Sequence, residues 1–148
     1  MNIQIKPYNP LDEKALLDII QLNVPTYFAP EEVDDLRDYL RNHIDLYFTV
    51  FDNTKVIGGG GLNRNKETGL GALSWAFLHP DYQSKGIGSL LLQHRLAILT
   101  TDATVKTIRV RTSQLVYPFF EKKGFKTVDI QIDYWAKGLD LYEMILIK

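Results

Sequence analysis

Polar and apolar residues alternate along Met1-Asn2-Ile3-Gln4-Ile5-Lys6, which predicts a first strand over Ile3 to Tyr8, closed by Pro7 and Pro10. From Leu11 to Leu22 the period changes. Apolar Leu11, Ala15, Leu16, Ile19, Ile20 and Leu22 mark one face of a helix, with Asp12 placed to cap it. A second helix follows over Glu31 to Asn42, carrying Val33, Leu36, Tyr39 and Leu40 on its buried side. Its first turn holds Glu31, Glu32, Asp34 and Asp35, the sign that a helix N-terminus favours. Between the helices, Val24 to Pro30 reads as a loop with two exposed aromatics, Tyr27 and Phe28.

Strand patterns then dominate. They cover Leu46 to Phe51, Val56 to Leu62 through the run Gly58–Gly61, and Leu70 to Leu78, with polar turns at Asp52–Lys55 and Asn63–Gly69. Ser89 to Leu99 reads as an amphipathic helix, Thr104 to Val110 as a β-branched strand, and Gln114 to Lys123 as a short helix stopped by Gly124. Phe125 to Trp135 and Leu139 to Ile147 are the last two strands. The order β-α-α-β-β-β-α-β-α-β-β predicts an α/β (α+β) fold: a mixed sheet covered by helices, with a parallel crossover over Leu70 to Val110.

A length of 148 residues fits one domain, residues 1–148, and the apolar share of 45% is enough for a true core. Net charge is -1, which gives no electrostatic reason to expect nucleic acid or an anionic membrane as partner. No cysteine is present, so thiolate nucleophiles, disulfides and Cys-ligated zinc are excluded. His43 and His94 have no partner at metal-ligand spacing, and no metal is expected. The N-terminus lacks the apolar run of a signal peptide, and no apolar stretch reaches the ~20 residues of a membrane span. A cytoplasmic location is the expectation.

The candidate chemistry sits between the strand Leu70–Leu78 and the helix after it, at Gln83-Ser84-Lys85-Gly86-Ile87-Gly88. A glycine-containing strand-to-helix loop is a ready anion site, because the first N–H groups of a helix have no intrahelical partner. It is neither of the common nucleotide motifs. A dinucleotide fingerprint would need glycine at Leu91, and a P-loop needs a Gly-Lys pair that the chain lacks. The Gly58–Gly61 run leads into a polar loop, not into a helix.

The segment Leu78-His79-Pro80-Asp81-Tyr82-Gln83-Ser84-Lys85-Gly86-Ile87-Gly88 resembles the acetyl-CoA loop of the GNAT superfamily of N-acetyltransferases, Arg or Gln, two residues, Gly, one residue, Gly or Ala. Downstream, Phe119-Phe120-Glu121-Lys122-Lys123-Gly124-Phe125 resembles the family's Phe-Tyr-Glu-Lys-x-Gly-Phe segment. The resemblance implies a GNAT-like fold with splayed central strands, acetyl-CoA as cosubstrate, and direct attack of a primary amine on the thioester. By the same resemblance, Gln83 opens the turn and the N–H groups of Ser84, Lys85, Gly86, Ile87, Gly88 and Ser89 hold the pyrophosphate. Phe77 and Leu78 would bond the pantetheine amides, with Ser113 and Phe120 also at the cofactor.

The match departs where the chemistry is decided. The family's tyrosine, which protonates the departing thiolate, is Phe120 here, and the family's asparagine is Ser113. Tyr117, three residues before Phe120, is the substitute acid that the sequence offers. The strand segment Gly71–Ser74 carries no carboxylate to act as base. The acceptor side would draw on Tyr27, Phe28, Glu31, Glu32, Asp133, Tyr134 and Trp135, and the resemblance admits a homodimer. Two other readings stay open: a CoA-binding regulatory module without catalysis, and an α/β scaffold whose glycines make only a tight turn.

Overall fold

The structure, a computed structural model, describes residues 1–148. Seven strands form one sheet in the order β1-β2-β3-β4-β5-β7-β6. In chain order the elements are β1 (Ile3–Pro7), α1 (Glu13–Leu22), α2 (Glu32–Asn42), β2 (Leu46–Asp52), β3 (Lys55–Asn65), β4 (Leu70–Leu78), α3 (Ile87–Thr101), β5 (Thr107–Thr112), α4 (Tyr117–Glu121), β6 (Lys126–Ala136) and β7 (Leu139–Ile147). The predicted order therefore holds, and β4 and β5 are the parallel pair that the crossover required. Short 3₁₀ turns at Pro10–Asp12 and Pro80–Tyr82 complete it.

Several boundaries differ from the sequence expectation, each for a local reason. Asp12 does not cap α1 with its side chain. Its carboxylate accepts from Asn9 N–H and from the Thr49 hydroxyl instead. β5 begins three residues late because Asp102 Oδ1 holds both the N–H and the hydroxyl of Thr104 in a turn. α4 has only five residues. Pro118 has no N–H to donate and is tolerated only in a first helical turn, while Gln114 is drawn off to Gly138 and Asp140. β3 runs on to Asn65, since polar Asn63 and Arg64 both have partners there: Arg64 pairs with Asp45 at 2.9 Å.

Helices cover both faces. Leu62, Leu73, Leu92, Leu99, Ile108 and Phe120 pack beneath α3 and α4. On the other face Leu16, Ile20, Leu36, Tyr39, Tyr47 and Phe77 pack beneath α1 and α2. The four-glycine run lies in β3, between these layers. A Cβ at Gly59 would stand 2.8 Å from the Tyr47 ring, and one at Gly60 2.9 Å from Leu91, so bare backbone lets both layers close on the strand.

Candidate functional site

Two backbone events open the sheet at its centre. β4 and β5 pair only through Leu70–Ala72 with Thr107–Arg109; beyond that rung they separate. On its other side β4 carries one extra residue. Gly59 pairs with Phe77 and Gly61 with Ser74, so Trp75 and Ala76 together face Gly60. This is a β-bulge, which bends its strand and adds local twist. Trp75 takes φ +48°, a region that non-glycine residues seldom occupy. Its surroundings hold it there. The indole stacks on Phe28 at 6.3 Å, lies 6.2 Å from Tyr39, and its carbonyl accepts from the fully buried Tyr47 hydroxyl at 2.8 Å.

The fork encloses a cleft of about 800 Å³ that reaches from the α1–α2 loop to the start of α3. The Gln83–Ser89 loop forms the end next to α3. Ser84 and Gly86 have positive φ, +60° and +83°. Alternation of such conformations turns successive N–H groups to one side, the arrangement that makes an anion-binding concavity. The N–H groups of Ser84 to Ser89 have no protein acceptor, and α3 has no side-chain cap. A Cβ built at Gly86 meets no atom within 4 Å, so the space over these donors is open. Ser84, Gly86, Gly88 and Ser89 line the cleft.

Two side chains of the loop point away from the cleft. Ile87 is buried with Phe48, Val50, Ile57 and Leu91, and Lys85 stands exposed outside the cleft. Each adds to the loop a main-chain N–H without an acceptor. Gln83 does more than open a turn. Its Nε2 donates to Asn23 Oδ1 at 2.9 Å and to the Leu78 carbonyl at 3.3 Å. Asn23 is itself buried, and its Nδ2 donates to Ile19 and Leu78 carbonyls. Asn23 thus ties the end of α1, the end of β4 and the loop together. Sequence reasoning missed it, because nothing in Leu22-Asn23-Val24-Pro25 distinguishes a clamp from a helix end.

The Leu78 carbonyl therefore already has two donors, Asn23 and Gln83. His79 N–H bonds to Ile57 in β3. Strand alternation then turns the Leu78 N–H the other way, into the fork. Phe77 lines the cleft with its ring edge-on to Phe28.

On the opposite wall, Ser113, Phe119 and Phe120 line the cleft. Ser113 Oγ accepts from Leu115 N–H, which leaves its hydroxyl hydrogen free. Tyr117 is not part of that wall. Its ring stacks on Tyr142 at 4.4 Å and 10°, so the expected substitute acid is withdrawn from the cleft. Three helical residues turn through 300°, which leaves Tyr117 about 60° from Phe120 and over β7. The cleft has a single carboxyl group, that of Glu32. Burial raises its pKa, while one oxygen accepts from Ala29 N–H at 2.7 Å. Tyr27 and Phe28, expected exposed, are half-buried in the same wall, whereas Glu31, Asp133 and Tyr134 are exposed outside it. Trp135 closes the far end, its Nε1 donating to the Thr112 carbonyl.

Comparison with known proteins gives this geometry a context. Residues 21–148 match the model described as the acetyltransferase (GNAT) domain. The amino-acid acetyltransferase of Escherichia coli K12 is 27% identical over 96 residues, 65% of this chain. The chain spans only 21% of that relative's length. The ribosomal-protein-S18-alanine N-acetyltransferase of Escherichia coli superposes with a TM-score of 0.81 at 20% identity, covering 98% of this chain and 93% of that one. An aminoglycoside 6'-N-acetyltransferase complexed with coenzyme A gives 0.77 at 15%, covering 97% and 96%. At those identities the two structures establish a shared fold. The family match spans most of the chain, and the chain belongs to the GNAT acetyltransferase family.

Proposed function

We propose that this protein transfers an acetyl group from acetyl-CoA to a primary amine by direct attack within the forked cleft. The observation that carries the reading is the row of N–H groups from Ser84 to Ser89, without acceptors and opening onto a forked sheet. These donors, at the N-terminus of a 15-residue helix, suit a pyrophosphate. The freed edge of β4, with the Leu78 N–H, suits an extended amide chain that adds to the sheet like a strand. Acetyl-CoA supplies an acyl group activated as a thioester.

The chain's own part is to hold the reactants and move one proton. Glu32 is the assigned acceptor of the amine proton, because it is the one carboxyl group in the cleft and burial raises its affinity for a proton. Phe119 and Phe120 form an apolar wall, so the thiolate leaves without help from a phenol of α4 and takes its proton from solvent. A base must be ionised to work. kcat/KM should therefore fall as pH drops through a pKa above the ordinary glutamate value. Glu32→Gln should lower kcat/KM about 10²-fold and flatten that acidic limb, since general-base assistance is typically worth this much. The Ala29 N–H keeps an acceptor in the amide, so the fold should survive. An unchanged limb would remove Glu32 from the role.

Calorimetric titration with acetyl-CoA, followed by thiol release over an amine panel, tests the reading as a whole. Sub-millimolar binding and turnover are expected, and no binding of acetyl-CoA or CoA overturns it. The Phe119–Phe120 wall favours one other reading, a CoA-responsive module, which binding without any turnover would select.

A further inference from the structure

The cleft has more positive charge than its single carboxyl group can balance. Arg95, on α3, is 2% exposed and lines the cleft, with no carboxylate partner. Its Nη1 donates to the Gly61 carbonyl at 3.1 Å and its Nε weakly to Leu91 at 3.4 Å, while Nη2 has no acceptor. Gly61 adjoins the Trp75 bulge, so Arg95 donates to a carbonyl where the ladder is irregular. Burial lowers its pKa to about 10, which still leaves a cation at neutral pH. The side chain of Arg109, on β5, forms no hydrogen bond and no ion pair, and its Nε is fully buried without an acceptor. Arg111, the third guanidinium in the cleft, differs: Glu143 lies 3.4 Å from it and the Tyr134 hydroxyl 3.3 Å.

Place decides what Arg109 faces. Ile108 and Val110 pack into the core under α3 and α4. Alternation then turns Arg109 to the opposite face. Its strand partner is Ala72, at the last rung before the fork opens. Ser74, two residues on, belongs to the same face, and its hydroxyl meets Tyr39 of α2 at Asn63. The phosphate loop leads into α3, on the other face. Arg109 is half-buried, its Nε without an acceptor is costly, and its planar fork matches a carboxylate in bidentate geometry.

We infer that the acceptor amine also carries a carboxylate, held at the fork by Arg109, so that the substrate class is amino acids rather than simple amines or polyamines. The inference rests on the acetyl-transfer reading above.

Thiol release from acetyl-CoA, measured over L-amino acids and their carboxamides, tests it together with Arg109→Gln and Arg109→Lys. Free acids should exceed amides in kcat/KM by about 10- to 100-fold, the worth of charge-assisted bonds to one carboxylate. That ratio should approach one in Arg109→Gln and fall only partly in Arg109→Lys, which keeps the charge and loses the fork. Acetyl-CoA affinity by calorimetry should stay within about threefold, which also reports that the variants are folded. Equal use of acids and amides by the unaltered protein would overturn the inference and leave acetyl transfer standing. A ratio unchanged in Arg109→Gln would overturn it as well. So would a change confined to the donor, where succinyl-CoA outcompetes acetyl-CoA and loses that advantage in Arg109→Gln. In that case the carboxylate belongs to the acyl group. Thermal shift with acids and amides repeats the comparison without turnover. If acetyl-CoA itself does not bind, the acetyl-transfer reading fails, and a selective shift by acids that Arg109→Gln abolishes still upholds the carboxylate site.

Discussion

Gly86→Asp should abolish measurable acetyl-CoA affinity, weakening it ~100-fold or more, while the protein stays folded. Gly86 has φ +83°, and a Cβ there meets nothing within 4 Å. The substitution therefore causes no clash. Its cost is the left-handed conformation, about 1–2 kcal/mol for a non-glycine residue. In a chain of this size that lowers Tm by roughly 2–8 °C. The new carboxylate, however, stands over the open N–H groups of the α3 start. It competes for those donors and repels a pyrophosphate across a few ångströms. Titration calorimetry and a thermal melt on one sample separate the two effects. Gly86→Ala, with the same strain and no charge, should retain most of the affinity. Wild-type affinity in Gly86→Asp would move the phosphate site away from this loop.

The second large effect is on stability. Phe125→Ala should cost about 3–5 kcal/mol, the usual range for removing a buried phenylalanine, and lower Tm by on the order of 10 °C. Phe125 is 1% exposed, and its ring lies 5.5 Å from Phe120. Its N–H donates to the Phe120 carbonyl, across a reversal that Gly124 makes possible at φ +98°. A five-residue helix has little stability of its own. α4 keeps its place because Phe120 and Phe125 anchor it from both sides of that turn. The cavity left by alanine should therefore loosen the cleft wall, and acetyl-CoA affinity should fall along with the melt. Chemical denaturation checks the first effect; a loss below 1 kcal/mol would show that the wall is held by other contacts.

What was legible in the chain is what repeats along it. Periods of two and of 3.6 marked β1, α1 and α2, apolar and β-branched runs marked the later strands, and the Gln83–Gly88 and Phe119–Phe125 segments marked the two walls of one cleft. The remainder depends on contacts far apart in sequence. Asn23 reads as a helix end and acts as a clamp on Gln83, sixty residues later. Tyr117 reads as a neighbour of Phe120 on one helix face, but Tyr142, from a distant strand, captures its ring. Arg95 left a signal that was open to reading. The buried stripe of α3 runs through Ile87, Leu91, Leu92 and Leu99, and Arg95 falls on that stripe. Arg109 left a fainter one, as a cation between Ile108 and Val110 in a β-branched strand. The bulge at Trp75 left none, since the segment reads as an uninterrupted strand.

That bulge has a consequence for how such a protein can change. The cleft depends on β4 having one residue more than β3 needs, at Trp75 and Ala76 against Gly60. Removing a single residue there would restore plain alternation and let β4 lie straight beside β5. The facing of the side chains on either side would be kept, because Phe77 and Ser74, partners of Gly59 and Gly61, already share a face across the bulge. The opening is thus written in chain length and not in any one side chain. Point substitutions across β4 would leave it standing, while a one-codon deletion would close it.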